Sequence, residues 1–188
     1  MRIIGADRRR RPTLDAARIR LRPLRPADGA AIERLAGEWE VARYLARVPH
    51  PYPPGEARRW IEALAAGEEV AFAIERRADR AMIGCCGYTL EPDGTPDIGY
   101  WLGRAYWGQG LATEAVGRLL AHLFEDLGAA RASASALPEN PASIRLQQRL
   151  GFAYAGAVEW DMPARGGRRF LEKRVLDRAQ WRAHRAAR

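Results

Sequence analysis

The chain has 188 residues and is 47% hydrophobic, which suits one domain with a substantial buried core. No apolar run approaches the roughly 18 residues of a membrane span, and the first residues lack a signal-peptide core, so we expect a cytoplasmic protein. The formal net charge of +8 favours anionic partners. However, Lys173 is the only lysine among 31 basic residues, which indicates a bias toward arginine and makes nucleic acid the less favoured partner.

The first 14 residues predict a flexible basic leader, followed by one folded domain over residues 15–188. Within the leader, the run Arg8–Arg11 could contact RNA or a ribosome, although a solvated arm is the favoured interpretation.

Cysteine and histidine positions predict neither a disulfide nor a metal site. Cys85 and Cys86 are adjacent, so their side chains would point to opposite faces of a strand. The histidines are scattered, and His122 lies in a helical pattern that favours a structural role.

The first third of the chain predicts one strand and two helices. Alternation over Arg18–Arg22 indicates a half-buried strand. Asp28 is placed to cap a helix, and apolar residues recur at helical spacing as far as Leu45. Prolines break the pattern between Val48 and Gly55, and a short helix around Trp60 follows.

In the middle of the chain, apolar residues recur with a period of two. Alternation or short apolar runs predict strands over Val70–Ile74, Met82–Leu90 and Asp97–Leu102. Polar turns near Asp79 and Asp93 separate them, which indicates an antiparallel meander.

Helix and strand then alternate. Apolar positions from Ala112 to Leu127 predict a helix that Gly128 ends, and a strand follows over Arg131–Leu137. Asn140 and Pro141 open a further helix. The remaining predictions are a hairpin, Phe152–Trp160 with Arg169–Leu176, turning at Gly166 and Gly167, and a basic C-terminal helix with Trp181. This order indicates a single mixed α/β domain with a strand–helix–strand crossover.

The segment Trp107–Ala115, WGQGLATEA, lies between a predicted strand and a predicted helix. Two glycines let the backbone turn tightly, and the helix start adds free N–H groups and the positive end of its dipole. These features suit a phosphate. We expect the contacts to come from Gly108, Gln109, Gly110, Leu111, Ala112 and Thr113.

The loop alone is not decisive, because many such glycines only shape a turn. No GK[ST] follows, which excludes a Walker loop, and Thr113 stands where a dinucleotide fingerprint has its third glycine. Glu114 would favour the helix start and would repel a phosphate.

The segment Ile98–Ala115, IGYWLGRAYWGQGLATEA, resembles the acetyl-coenzyme A motif of the GNAT N-acetyltransferases, in particular the RimJ/RimL-type branch that acetylates N-termini of ribosomal proteins. Asn140–Phe152, NPASIRLQQRLGF, and Arg18–Asp28, RIRLRPLRPAD, resemble further blocks of that branch in the same order. The resemblance covers about residues 15–185. It implies one domain with a central twisted, mostly antiparallel sheet and helices on both faces.

The resemblance implies direct transfer of an acetyl group from acetyl-coenzyme A to a primary amine, with no metal. Backbone groups of Trp101 and Leu102 are implied to contact the pantetheine arm, and Tyr100 on the same strand is also expected to bind the cofactor. Asn140 would cap its helix, bind the same arm, or both. Gln147 stands where many members have a tyrosine acid, so an acyl-coenzyme A sensor or scaffold without activity is the alternative.

Two residues are candidates for catalysis. Asp97 begins a strand beside the expected cleft and could deprotonate the amine, or it could be a surface carboxylate near a turn. Ser143 matches a serine that is a candidate acid or thiol contact in the branch, or it serves only the helix start. Of Tyr100 and Trp101, one should face the thioester and the other the core.

The acceptor is less defined. The family resemblance implies that the helix over Asp28–Leu45, the prolines after it and the hairpin near Trp160–Arg168 form the walls of its cleft. Sparse acidic residues favour a peptide N-terminus or a small amino compound over an aminoglycoside. A homodimer is compatible with the sequence.

Overall fold

The computed structural model describes residues 11–64, 67 and 69–187. Most of the predicted leader, including three arginines of the run Arg8–Arg11, lies outside the described residues. Leu14 is buried in the first strand, so the folded part begins within the last residues of the predicted leader.

Eight strands and six α-helices are present in the described part of the chain. The strands are β1 (Leu14–Asp15), β2 (Ile19–Pro23), β3 (Val70–Arg76), β4 (Met82–Leu90), β5 (Pro96–Leu102), β6 (Arg131–Ala136), β7 (Ala153–Met162) and β8 (Gly167–Asp177). The helices are α1 (Gly29–Ala36), α2 (Trp39–Ala42), α3 (Glu56–Ala63), α4 (Leu111–Ala121), α5 (Pro141–Arg149) and α6 (Arg178–Ala186). The predicted order of elements is confirmed, with a short first strand added and the first predicted helix divided into α1 and α2.

All strands form one sheet in the order β1-β2-β3-β4-β5-β6-β8-β7. Neighbouring strands are antiparallel except β5 and β6, which are parallel because α4 connects them as a crossover. The predicted meander of β3, β4 and β5 is confirmed. The fold is therefore the mixed, mostly antiparallel α/β architecture that the sequence predicts.

Helices cover both faces of the sheet. On one face, α4 and α6 contribute Leu119 and Trp181 to the larger cluster of buried apolar side chains. On the other face, α1 and α3 form a second cluster. Cys86 packs in the first cluster and Cys85 in the second, so the two thiols do point to opposite faces and both are free.

The predicted helix over Asp28–Leu45 is interrupted at Gly37, where α1 ends before α2 begins. A Cβ on Gly37 would lie 2.3 Å from the Glu33 carbonyl oxygen, so this close approach requires glycine. Asp28 stands at the N-cap of α1 but makes no side-chain cap. Its carboxylate instead accepts hydrogen bonds from the buried Arg22 guanidinium, at 2.8 Å from both Nη1 and Nη2.

A π-helical turn, His122–Asp126, continues α4 toward the predicted end at Leu127. His122 is buried there, with Nδ1 2.8 Å from Asp126 Oδ2, and its ring meets Phe72 edge-on. This position within the core fits the structural role predicted for His122.

The parallel pair of strands separates after a short contact. The register joins Asp97 with Ser133 and Ile98 with Ala134, whereas β5 continues to Leu102. Beyond the pair Ile98–Ala134 the strands splay apart, and a wedge opens between them. The sheet is thus split next to the segment that resembles a cofactor motif.

Candidate active site

A cavity of about 940 Å³ passes through the wedge between β5 and β6. On the α4 and α5 side it is lined by Gly108, Thr113 and Ser143. On the opposite side it is lined by the segment from α1 to α3 and by the β7–β8 hairpin, including Tyr44 and Trp160. One continuous space therefore connects the glycine loop with the predicted acceptor walls.

The glycine loop has the tight backbone that the sequence predicts. Gly108 and Gly110 have φ angles of 73° and 74°, in the left-handed region that favours glycine. Gly110 is the N-cap of α4, and no atom lies within 4 Å of the point where a Cβ on Gly108 would stand. The start of a helix of 11 residues thus opens onto an unobstructed loop, which gives an anion the N–H groups and the dipole of the helix start.

Arg18, directly before β2, connects this loop to the sheet. Its backbone N–H and its Nε donate to the Glu114 carboxylate at 2.6 and 2.8 Å, and its Nη1 donates to the Gln109 carbonyl at 2.9 Å. Burial alone would raise the pKa of Glu114, but these hydrogen bonds and the Arg18 charge lower it overall. The acidic residue in the first turn of α4 is therefore neutralised, an arrangement for which the sequence offered no local signal.

Two further contacts hold the loop against the end of β5 and against the turn that follows it. Trp107 Nε1 donates to the Leu102 carbonyl at 2.8 Å, and Gln109 Nε2 donates to the Ala105 carbonyl at 3.1 Å. Gln109 does not line the cavity, whereas the other five residues expected in the phosphate loop do. Its described contacts hold the loop in shape.

The free edge of β5 presents backbone groups to the wedge. The Gly103 N–H donates to the Ile83 carbonyl on the β4 side, so alternation turns the polar groups of Leu102 and Tyr100 away from β4. By the same alternation the backbone of Trp101 faces β4. Leu102 and Tyr100 therefore offer backbone groups to the wedge, whereas Trp101, whose backbone was expected to contact the pantetheine arm, offers only its side chain.

The side chains of Tyr100 and Trp101 lie on opposite faces of β5, and both line the cavity. Tyr100 points toward α5, and Trp101 packs against the cluster of α1 and α3. The sequence predicted that one ring would face the reacting group and the other the core. In the structure both rings line the cleft, one on each side of it.

A hydroxyl pair lies where α5 approaches β5. The Tyr100 hydroxyl is 2.8 Å from Ser143 Oγ, and Gln147 Nε2 lies 3.4 Å from both oxygens. Asn140 caps α5, since its Oδ1 accepts from the Ser143 N–H at 3.2 Å. Burial raises the pKa of Tyr100 above its ordinary value, and hydrogen bonds to Ser143 and Gln147 only moderate the rise. The phenol is therefore protonated at neutral pH.

Asp97 lies at the closed end of the wedge, half-buried, and lines the cavity. Ser133 Oγ on β6 is 2.8 Å from its Oδ1 and 2.6 Å from Glu91 Oε1. Lys173 Nζ on β8 donates to the same Glu91 oxygen at 2.6 Å. Burial raises the pKa of Asp97, Glu91 raises it further, and Ser133 and Lys173 oppose the rise. Sequence reasoning found Asp97 but not its three partners.

The side of the cavity away from the loop is largely apolar. Its lining includes Tyr44, Leu45, Val48, Tyr52, Trp160 and Met162. Two carboxylates, Glu56 and Glu69, also line it, and burial followed by nearby negative charge raises the pKa of Tyr52 to about 12. Gly99 has open space where a Cβ would stand, on the same face of β5 as Asp97 and Trp101. A small group could approach the strand there.

Other classes of site receive no support from the described residues. No three His, Cys, Asp or Glu side chains among them lie close enough to hold a metal ion. In the same part of the chain, no helix has the length and apolar character to cross a membrane.

The sequence model of the acetyltransferase (GNAT) domain matches residues 18–153. This protein belongs to the GNAT family of acetyltransferases. A curated relative, the uncharacterized N-acetyltransferase p20 of Bacillus licheniformis, is 31% identical over 160 residues, which cover 82% of this chain and 89% of that one. The resemblance seen in the sequence is confirmed, and the GNAT fold makes the chain an acyltransferase.

Solved structures of GNAT proteins share the fold. Mycobacterium smegmatis RimJ in complex with CoA-disulfide superposes with a TM-score of 0.78 at 22% identity, covering 94% of both chains. RimL, a ribosomal L7/L12 alpha-N-protein acetyltransferase in complex with coenzyme A, superposes with a TM-score of 0.75 at 18% identity. The match covers 88% of this chain and 98% of the RimL chain. At these identities the likeness concerns the fold of this GNAT protein alone.

Proposed function

We propose that this GNAT protein transfers an acetyl group from acetyl-coenzyme A directly to a primary amine. The observation that carries the proposal is the continuous cavity through the β5–β6 wedge. An anion loop opens at one end and an apolar chamber at the other, with hydroxyl and carboxyl groups between them. A thioester and an amine can therefore meet inside one protein cavity, and holding them together itself lowers the barrier.

The loop before α4 binds the pyrophosphate of the cofactor. Backbone N–H groups of Gly108, Gly110, Leu111 and Ala112 and the Thr113 hydroxyl are the donors, as in other anion sites at helix starts. The pantetheine arm runs along the backbone of Leu102 and Tyr100, because their polar groups face the wedge. We assign Trp101 to the acceptor side, and Asn140 holds the start of α5 beside the arm.

Three groups serve the chemical step. Asp97 accepts the proton of the amine, and its raised pKa brings it closer to the neutral range where a base works best. The Tyr100 N–H, directed into the wedge, donates to the oxyanion that forms on the acetyl carbonyl. The Tyr100–Ser143 hydroxyl pair donates a proton to the departing thiolate.

The acceptor carries its amine on an apolar body, either an apolar N-terminal residue of a peptide or a small apolar amine. The walls contributed by Tyr44, Val48 and Trp160 would bury such a body, whereas a polycation would lose its hydration against the same apolar walls. The names of the RimJ and RimL neighbours support the peptide form of this acceptor.

Release of coenzyme A thiol in the presence of amines tests the transfer. The panel contains phenethylamine, a tetrapeptide with an N-terminal apolar residue, its Nα-blocked form and spermidine. We expect release with the first two substrates only. Cofactor binding without any release would favour the alternative, a sensor or scaffold on the same fold.

Binding is tested separately by thermal unfolding with acetyl-coenzyme A, coenzyme A and NAD. A ligand at a hundred times its Kd adds about 2.7 kcal/mol to the free energy of unfolding. We expect stabilisation by both coenzyme A species and none by NAD. The absence of a shift with acetyl-coenzyme A would exclude both the enzyme and the sensor.

A further inference from the structure

A chain of polar side chains leads from Asp97 in the cleft to the surface of the protein. It runs from Asp97 through Ser133 and Glu91 to Lys173, with successive contacts of 2.8, 2.6 and 2.6 Å. Ser133 is fully buried, whereas the side chains of Glu91 and Lys173 are 25% and 28% exposed. The chain therefore begins at the reacting groups and ends in contact with water.

Ser133 can link both carboxyl groups by hydrogen bonds in only one protonation state of this chain of polar side chains. A hydroxyl has one proton, yet Ser133 Oγ lies within hydrogen-bond distance of two carboxyl oxygens. One carboxyl must therefore be protonated and donate to Ser133 for both contacts to be hydrogen bonds. Lys173 is paired with Glu91, so the arrangement fits the state in which Asp97 has accepted the amine proton and donates it to Ser133.

We propose that Ser133 and Glu91 form a relay that removes the amine proton from Asp97 and passes it to water, with Lys173 setting the charge of its outer end. The inference rests on the proposed function, because it extends the role of Asp97 as base. Ser133, Glu91 and Lys173 are positioning residues, since they act through Asp97 and do not touch the substrates.

The step balances in atoms and charge. The amine nitrogen bonds to the acetyl carbon, the carbon–sulfur bond breaks, and the thiolate takes a proton from the Tyr100–Ser143 pair. Water returns that proton to the pair, which matches the proton released at Glu91. The amine proton moves to the Asp97 carboxylate. Asp97 then donates to Ser133 while Ser133 donates to Glu91, and Glu91 releases a proton to water. The protons on Asp97 and Ser133 reorder without any further reactant.

Two charge-removing substitutions test the relay because they act in opposite directions. Glu91 and Lys173 are the charged groups that act on Asp97, from the turn after β4 and from β8. Glu91→Gln removes a negative charge, so the acidic limb of kcat/KM against pH should move to lower pH. Lys173→Met removes a positive charge, so the same limb should move to higher pH. A purely structural role predicts no opposed shifts.

Glu91→Gln should also lower kcat on the order of ten-fold and change the solvent deuterium isotope effect, because an amide cannot pass the proton on. Glu159→Gln is the matched control, since Glu159 is an exposed carboxylate paired with Arg168 on the hairpin. Thermal stabilisation by acetyl-coenzyme A shows that each variant is folded.

The possible failures are distinguishable. If Asp97→Asn abolishes thiol release while Glu91→Gln and Lys173→Met keep the wild-type pH profile, the base assignment stands and the relay is wrong. If the wild-type protein releases no thiol with any amine, the proposed function fails and the relay falls with it.

Discussion

The hydroxyls of Tyr100 on β5 and Ser143 on α5 lie 2.8 Å apart across the wedge. This pair places a phenol close to Gln147, the position at which many family members carry a tyrosine. The buried amide of Gln147 lies 3.4 Å from both hydroxyl oxygens. The sequence alone indicated a missing acid, but the fold supplies a phenol from the neighbouring strand.

Removing this phenol should slow the transfer while leaving cofactor binding intact. We expect Tyr100→Phe to lower kcat on the order of 100-fold, because the ring still packs but cannot protonate the thiolate. Ser143→Ala should have a smaller effect. Steady-state kinetics with both substrates varied measures each change.

Tyr154→Phe is the control for Tyr100→Phe, because Tyr154 is an exposed tyrosine on β7. An unchanged kcat in Tyr100→Phe would show that the thiolate leaves without a proton from this pair. The proposed transfer would still stand in that case, because the variant would turn over like the wild-type protein.

The loop glycines give a second prediction with a closely matched control. Gly108 and Gly94 both have positive φ angles, 73° and 83°, and both have open space where a Cβ would stand. Alanine at either position should lower the free energy of unfolding by about 1 kcal/mol, from the cost of a left-handed conformation. Only Gly108→Ala should also weaken the binding of acetyl-coenzyme A, by ten-fold or more, because the added methyl group would occupy the space of the phosphate in the loop.

Calorimetric titration with acetyl-coenzyme A and urea unfolding of both variants test this pair. Equal affinities in Gly108→Ala and Gly94→Ala would mean that the loop only shapes the turn, the interpretation that the sequence left open. The phosphate site would then have to lie elsewhere in the cavity.

Local pattern in the sequence predicted the strands and α4 well, because burial on one or both faces imposes a period of two or of 3.6. The adjacent cysteines illustrate this, since alternation alone assigned them to opposite faces. The interruption at Gly37 was missed, because it arises from the packing of the Glu33 carbonyl and Tyr52 around that residue.

The site was predictable only where its residues form a contiguous motif. Gly108–Thr113 was found in that way. Glu91, Ser133 and Lys173 were not, since they come from three elements up to 82 residues apart and meet only through sheet order and register. The separation of β5 from β6 could not be predicted either, because no local sequence pattern marks the residue at which two parallel strands stop pairing.

Arg165 provides a prediction about the acceptor wall. From the turn between β7 and β8 it donates to the carbonyls of Ala42 and Val48, the latter at 2.8 Å, and its guanidinium lies 5.5 Å from the Trp39 ring centroid. These contacts hold the segment after α2 that carries Tyr44, a residue of the apolar chamber. We expect Arg165→Met to raise KM for the amine several-fold.

The KM for acetyl-coenzyme A should not change in Arg165→Met, because the glycine loop lies on the other side of the sheet. Arg168→Met, on the same hairpin and paired only at the surface with Glu159, is the control. Equal rises of both KM values would indicate general loosening of the fold rather than a role in the acceptor wall.

The buried ion pair of Arg22 and Asp28 should make stability depend on pH. Burial alone would raise the pKa of Asp28, but hydrogen bonds from Arg22 and the Arg25 N–H lower it overall. Its pKa is therefore lower in the folded than in the unfolded state. The stabilisation is fully present above the unfolded pKa, near 3.9, and is lost as the pH falls through the folded value.

Asp28→Asn should therefore cost about 2 kcal/mol at pH 7, because it removes charge-assisted hydrogen bonds to the Arg22 guanidinium, which keeps its buried ion pair with Glu75. Urea unfolding at pH 7 and at pH 3 measures the difference between wild type and variant, which should shrink at the lower pH. Asp15→Asn, at the exposed partner of Arg20, should change little at either pH. A difference that stays constant with pH would show that Asp28 acts through packing, since a packing defect does not titrate.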